Sequence, residues 1–288
     1  GQGLSRLIKA PFQIANALLQ ARKHMQQWNP DAVLGMGGFV SGPGGIAAKM
    51  LGIPVVLHEQ NAVAGLTNQW LSCIASKVFQ AFPGAFPNAE VVGNPVREDV
   101  VALPEPELRM AERKDTIRIL VMGGSQGAQI LNRTMPEAMS KLGEGYQVRH
   151  QAGKNNQIDV SAAYQTAGVD KADTTEFIDN VAEAYAWADL IVCRSGALTV
   201  SEVSAAGIGA VFIPFMHKDR QQALNADHLV ECGAAKMIEQ PDLTTDKLVD
   251  QIQQLDRTKL LEMANKARAA AKLDADTKVA DAIIALTN

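Results

Sequence analysis

The chain has 288 residues, enough for two domains of ordinary size. It is 47% hydrophobic and 20% charged, with 27 Lys and Arg against 31 Asp and Glu for a net charge of −4. That balance excludes a disordered chain and a nucleic-acid partner recognised through bulk positive charge. No apolar run reaches the ~18 residues that would cross a bilayer. The three cysteines, Cys73, Cys193 and Cys232, form no C-x-x-C pair, as expected of a reducing compartment.

Residues 1–30 carry Arg6, Lys9, Arg22, Lys23 and His24 and no acid before Asp31. Apolar residues recur there at helical spacing, from Leu4, Leu7 and Ile8 to Leu18, Leu19 and Met25. A basic amphipathic helix over 4–25 suits reversible attachment to an anionic membrane surface, at about 1 kcal/mol per basic residue. The same pattern also suits a helix that packs its apolar face on a sheet.

From there short β-branched runs alternate with helical patterns, the order of βαβ units and parallel sheets. Strands are expected at 31–36, 54–58, 77–81 and near 90–92. The polar turn Asn94-Pro95-Val96-Arg97-Glu98-Asp99 marks a domain junction. A second series follows at 117–122, 147–151, 174–177, 189–193 and 210–214, with helices at 128–142, 181–187, 198–206 and 221–231. The tail is helical, and 276–288 is expected to cross back. The fold class is therefore α/β, with two doubly wound Rossmann-like domains over 1–97 plus 276–288 and over 98–275.

Three glycine loops each join a strand to a helix. Residues 34–45 read Leu-Gly-Met-Gly-Gly-Phe-Val-Ser-Gly-Pro-Gly-Gly, ahead of a helix expected over 46–51. Residues 121–128 read Val-Met-Gly-Gly-Ser-Gln-Gly-Ala, a phosphate loop lacking the G-x-G-x-x-G spacing of a dinucleotide site. The third, Arg194-Ser195-Gly196-Ala197-Leu198-Thr199, ends an apolar strand and opens a helix at once. Free N–H groups and the helix dipole at such a point favour a diphosphate. Glu202, one turn in, is placed to accept hydrogen bonds from sugar hydroxyls.

Two polar clusters also follow apolar strands, where open α/β sheets bind ligands. These are His58-Glu59-Gln60-Asn61 and His217-Lys218-Asp219-Arg220-Gln221-Gln222, both suited to a hydroxyl-rich ligand. Alternatively, Asp219 is a helix N-cap and His58 a structural histidine. The D-x-D run at 274–276 precedes a helix, so Asp276 reads as an N-cap rather than a metal ligand. The five histidines have no metal-ligand spacing.

Taken together, Gly-Met-Gly-Gly-Phe-Val-Ser-Gly-Pro-Gly-Gly, His-Glu-Gln-Asn, Gly-Asn-Pro-Val-Arg, Gly-Gly-Ser-Gln-Gly-Ala, Arg-Ser-Gly-Ala-Leu-Thr-Val-Ser-Glu and His-Lys-Asp-Arg-Gln-Gln closely resemble, in order, the MurG family of bacterial peptidoglycan glycosyltransferases. The resemblance spans the whole chain and implies a GT-B architecture, the second domain binding UDP-N-acetylglucosamine and the first the lipid acceptor. It implies inverting, metal-independent transfer without a cofactor to the 4-hydroxyl of undecaprenyl-pyrophosphoryl-muramoyl-pentapeptide (lipid I), giving lipid II. The work would take place at the cytoplasmic face of the inner membrane and serve cell-wall biogenesis, cell shape and division.

By the same resemblance, Asn61 and Arg97 contact the donor from the first domain and the junction, and Ser125 touches a phosphate. Ile178 holds uracil through its backbone. Ala197, Leu198, Thr199, Val200, Ser201 and Glu202 cradle the diphosphate and ribose, and Gln222 with Gln221 reads the sugar hydroxyls. His58 and Glu59 are candidate catalytic residues. The family's opening strand and its Gly-Gly-Thr-Gly-Gly-His loop do not occur in this sequence. The expectation is an incomplete first domain, with donor recognition kept and little transfer. Other UDP-sugar enzymes of the same architecture, such as an epimerase, are the nearest rivals.

Overall fold

A computed structural model describes residues 2–287 except Asp115 and Ser125, and of residues 2–11 the backbone alone. The chain divides into two compact units, Gly1–Pro95 with Asp274–Asn288, and Val96–Leu273. The borders fall two residues before those expected at 97 and 275. Arg97 goes with the second unit because it caps the first helix there and bonds within that unit. Ala275 goes with the first because its side chain is buried in that unit's core.

The first unit runs α1 (Gln2–Trp28), β1 (Val33–Gly35), α2 (Gly38–Met50), β2 (Val55–Glu59), α3 (Leu66–Ser72), β3 (Lys77–Gln80) and β4 (Glu90–Val91). Its four strands pair in parallel in the order β1-β2-β3-β4. Every residue of β2 is buried, which explains its unbroken apolar start. The last helix of the chain, Ala275–Thr287, packs Ala275 and Val279 against Val56, Phe79 and Val92. Asp276 lies inside its first turn, so the N-cap expected there falls instead on the preceding stretch, where Asp274 O accepts from Lys278 N.

The glycine run at 34–45 is mostly helix. α2 begins at Gly38 and carries Pro43 inside it, whereas the sequence pattern starts the helix at Ile46. Packing outweighs propensity here: a Cβ on Gly45 would stand 2.6 Å from Leu71 of α3. Small residues let α2 and α3 approach closely. Only Gly37 and Gly38 use left-handed backbone in this stretch, with φ of 82° and 77°.

The second unit opens with α4 (Glu98–Val101) and α5 (Pro106–Met110), then β5 (Ile117–Met122), α6 (Gln129–Leu142), β6 (Tyr146–Gln151), α7 (Gln157–Thr166) and β7 (Asp173–Thr175). It continues with α8 (Val181–Trp187), β8 (Leu190–Cys193), α9 (Ala197–Ala206), β9 (Gly209–Phe212), α10 (Gln221–Glu231) and β10 (Ala235–Met237). A short 3-10 turn (Gln240–Asp242) leads to α11 (Thr245–Gln253) and α12 (Arg257–Ala270), and the first unit's closing helix is α13. Six parallel strands stand in the order β10-β9-β8-β5-β6-β7. Read from β7, that is the 3-2-1-4-5-6 order of a dinucleotide-type fold, with its reversal between β5 and β8. Apolar residues of α6, α11 and α12 pack on this sheet, with Leu131, Met135, Leu248 and Leu260 fully buried.

Candidate functional site

In an open parallel sheet the strands flanking the reversal of order send their following loops to opposite faces, leaving a crevice at their carboxyl ends. In the second unit those strands are β5 and β8, and the loops after them are the second and third glycine loops. The fold thus brings together, at one sheet edge, segments that lie some 70 residues apart in sequence (123–127 and 194–196).

The loop 123–127 is built around contacts that admit no side chain. A Cβ on Gly123 would stand 2.4 Å from Ala128 N, and one on Gly127 would stand 2.2 Å from Ala152 O. Gly124 and Gly127 also have positive φ, 79° and 73°. From behind, the buried Gln151 amide holds the loop: its Oε1 accepts from Gly124 N at 3.0 Å and its Nε2 donates to Gly124 O at 2.9 Å. Ser125 lies outside the described residues. Ile178, half-buried, follows β7 in the segment whose Glu176 carbonyl also accepts from Gln151 Nε2, at 2.7 Å.

After β8, the Arg194 guanidinium donates to the carbonyls of Ile213 and Pro214 and lies over the Phe215 ring. It therefore braces the loop after β9. Ser195 is fully buried, and its hydroxyl has no hydrogen-bond partner among the described residues. α9 then starts at Ala197 with Gly196 as N-cap, a residue without a side-chain acceptor for the first-turn N–H groups. The Ala197, Leu198, Thr199, Val200, Ser201 and Glu202 stretch does not act through all its side chains. Val200 is buried in the core, and the Ser201 hydroxyl donates back to Ala197 O. What this helix start presents is main chain and dipole, with Glu202 on the second turn.

Glu202 is held from two sides. The Tyr185 hydroxyl donates to its Oε2 at 2.9 Å, and Arg97 Nη2 donates to its Oε1 at 3.3 Å. Tyr185 is wholly buried, and burial followed by the neighbouring carboxylate pushes its hydroxyl far above the usual tyrosine range. It therefore stays a donor. Tyr185 escapes sequence reading because nothing in its short helix links it to Glu202, 17 residues on. Arg97, expected to act from the first domain or the junction, stands within the second unit and pairs with Glu202.

In the loop after β9, His217 Nδ1 and Asp219 Oδ1 are 2.8 Å apart, and the same Oδ1 accepts from Gln221 N. Asp219 thus caps α10 through its side chain, while Arg220 occupies the N-cap in left-handed backbone (φ 52°). Gln222 Oε1 accepts from Phe215 N at 2.9 Å, which fixes its amide at the loop mouth.

In the first unit, the cluster expected to follow a strand begins inside it, His58 and Glu59 being the last two residues of β2, and it is bound up in itself. His58 is fully buried: Nε2 meets Gly93 O at 2.8 Å and Nδ1 meets Gln60 Nε2 at 3.3 Å. Burial lowers its pKa, so the ring is neutral, accepting at Nδ1 and donating at Nε2. Buried Glu59 accepts from Asn61 N and Nδ2, Gly65 N and Asn68 Nδ2, the last at 2.6 Å. It fixes the loop that carries Asn61 and leads into α3. Asn94 Nδ2 donates to Gln60 O, closing the cluster over the turn that ends the unit. Among the described residues, no group of three or more His, Cys, Asp or Glu side chains could hold a metal ion.

Two parallel Rossmann-like sheets, one with a switch-point crevice fed by glycine loops, define a GT-B nucleotide-sugar enzyme. Comparison with known families then resolves the class. Residues 1–80 match the glycosyltransferase family 28 N-terminal domain and residues 118–283 the family 28 C-terminal domain. The chain belongs to glycosyltransferase family 28. It is 76% identical over 287 residues to a UDP-N-acetylglucosamine–N-acetylmuramyl-(pentapeptide) pyrophosphoryl-undecaprenol N-acetylglucosamine transferase of Vibrio campbellii, covering 100% of this chain and 81% of that protein. The Vibrio cholerae protein of the same name is 74% identical with the same coverage. Among solved structures, Acinetobacter baumannii MurG superposes with a TM-score of 0.88 at 41% identity, over 96% of this chain and 79% of that one. A Neisseria meningitidis UDP-GlcNAc 2-epimerase bound to UDP-GlcNAc shares the fold alone, with a TM-score of 0.67 at 14% identity over 94% of this chain and 81% of that one.

Proposed function

We propose that this chain is a hexosyltransferase that moves N-acetylglucosamine from UDP-N-acetylglucosamine to the muramoyl 4-hydroxyl of lipid I, forming lipid II for peptidoglycan synthesis. The observation that carries the reading is the crevice between β5 and β8. It joins a glycine loop, an α9 start with no side-chain cap, and a Glu202 carboxylate held by Tyr185. That set matches a nucleoside diphosphate: main-chain N–H groups for phosphate oxygens, a carboxylate for ribose hydroxyls.

In this reading Ile178 presents backbone to uracil, Ser125 contacts a phosphate, and Gln221 and Gln222 read the sugar. As the glycosidic bond breaks, charge grows on the leaving diphosphate. The α9 dipole and Arg97, released from Glu202 as ribose takes its place, stabilise that charge. Transfer inverts the anomeric centre because the acceptor hydroxyl attacks opposite the leaving UDP. Asn61 is a donor-contact candidate, carried on the loop that Glu59 organises. His58 and Glu59 serve as positioning groups: both imidazole nitrogens are engaged, and each carboxylate oxygen already accepts hydrogen bonds.

The acceptor's lipid calls for a membrane surface. α1 offers Arg22 and Lys23 beside exposed Phe12, Ile14, Leu19 and Trp28, which supports peripheral attachment to anionic lipid at the cytoplasmic face of the inner membrane. The side chains of the earlier basic residues, Arg6 and Lys9, lie outside the described residues. No helix among the described residues is long and apolar enough to cross a membrane.

A thermal-shift titration tests the donor half. UDP-N-acetylglucosamine at about 100 times its Kd should stabilise the fold by about 2.7 kcal/mol, with UDP-galactose and NAD weaker. Equal shifts with all three, or none, would refute it. Formation of radiolabelled lipid II from lipid I and labelled donor tests the transfer itself.

A further inference from the structure

Gln151 ends β6, one strand away from the crevice, and no sequence motif includes it. The residue is 5% exposed, and the bonds of its side-chain amide all go to main chain. Oε1 accepts from Gly124 N (3.0 Å), while Nε2 donates to Gly124 O (2.9 Å) and to Glu176 O (2.7 Å). The first two bonds clasp a single residue from both sides, as a neighbouring strand would. The third reaches the segment after β7, two residues before Ile178. One amide therefore joins the phosphate-side loop to the base-side segment.

The surrounding ladder would survive without it. Gly123 N donates to Gln151 O, Ala152 N to Thr175 O, and Gly153 N to Glu176 O. These main-chain bonds fix the strand ends. Among the described bonds, the side chain of Gln151 is what spans from Gly124 to Glu176 in one step. A residue that served stability alone would have no need to touch both ligand-facing segments.

We propose that Gln151 is a positioning residue for the nucleotide, setting the distance between the loop that receives the diphosphate and the segment that receives the base. The inference rests on the donor-site reading above. A ligand that engages both segments at once depends on that distance, whereas a ligand that engages one does not.

The test compares the 288-residue chain with its Gln151→Met variant, which keeps the volume and removes all three bonds, by calorimetric titration with UDP and uridine and by steady-state kinetics. Affinity for UDP should fall about tenfold, and affinity for uridine by no more than about threefold. The KM for UDP-N-acetylglucosamine should rise in step with the UDP value while kcat stays within about twofold. Unchanged UDP affinity, or a lower Tm and kcat with KM unmoved, overturns the proposal and leaves the donor site standing. A wild-type chain with no affinity for UDP overturns both.

Gln151→Glu provides a second handle if the Met variant fails to fold. Its carboxylate faces two carbonyl oxygens, and protonation restores one donor beside one acceptor. Its UDP affinity relative to wild type should therefore recover between about pH 8 and about pH 6. A ratio that does not change with pH overturns the proposal.

Discussion

The two units put polar side chains at the ends of buried parallel strands in opposite ways. At the end of β2, the side chains of His58 and Glu59, with Asn94, are spent on their own loop and the turn beside it. After β5, β8 and β9, the polar side chains stand behind the loops. Gln151, Asn225 and Arg194 hold carbonyls and N–H groups from the protein side. The loops then present main chain, a helix start and Glu202. A row of hydrogen-bonding residues in a sequence thus marks an organised loop, and burial decides whether its side chains meet ligand or scaffold.

The most severe way to break this contrast is Glu59→Ala. Asn68 Nδ2 would lose its acceptor in a buried site, at about 1–3 kcal/mol, and half-buried Asn61 N and exposed Gly65 N would lose theirs at less, so a loss of about 3–4 kcal/mol is expected. Urea unfolding measures it. A loss below about 1 kcal/mol would mean that water replaces the carboxylate and that the loop is not held as described.

The corresponding test in the second unit is Gly127→Ala. Its φ of 73° and a Cβ only 2.2 Å from Ala152 O combine backbone strain with a clash against main chain. About 3 kcal/mol should be lost. Gly38→Ala is the control in the first unit, since its φ is also positive but nothing lies within 4 Å of its Cβ. It should cost only about 1 kcal/mol. Equal losses in urea unfolding would erase the distinction between a loop packed against main chain and one open to solvent.

Much of the second unit is legible in the sequence. The strand at Ile117–Met122 and the helices Val181–Trp187 and Gln221–Glu231 stand where the apolar pattern puts them. The glycine loops after β5 and β8 are legible because each sits between an apolar strand and a helix start, and those two strands flank the reversal of order. α2 departs from its sequence pattern because its glycines answer to α3, a packing partner that local propensity does not see. β10, Ala235–Met237, is invisible to periodicity: three residues at a sheet edge carry too little of it to register. Tyr185 and Gln151 escape for a third reason. Each supports its neighbour at the crevice across a span of sequence, and only the folded sheet brings them together.

A pH titration separates scaffold histidines from ligand groups. Burial holds the pKa of His150 at about 3 against an ordinary 6.5, and that of His58 and His228 lowered in the same direction. A depressed histidine is neutral in both states above pH 6.5 and contributes no pH dependence there. Below it, the unfolded chain binds the proton and the folded one does not, so stability falls as pH falls. His150→Gln should make the slope between pH 6.5 and about pH 5 shallower by up to about 1.4 kcal/mol per unit. An unchanged slope would mean that His150 takes up its proton without unfolding and is not locked between Tyr164 and Asn132.

The finest test addresses Glu202. Tyr185→Phe removes one hydroxyl from a fully buried ring and leaves the carboxylate to Arg97. The loss of one charge-assisted bond, about 1 kcal/mol, should weaken UDP binding about fivefold. The ribose is where the effect must appear, because Tyr185 acts only through the carboxylate it orients. A UDP analogue lacking the 2′- and 3′-hydroxyls should bind Tyr185→Phe and wild type alike. If both ligands lose the same factor, Tyr185 supports the loop as a whole and Glu202 does not read ribose. If only UDP loses affinity, the second unit's logic holds at its smallest scale: a buried group behind the site sets the aim of the group in front.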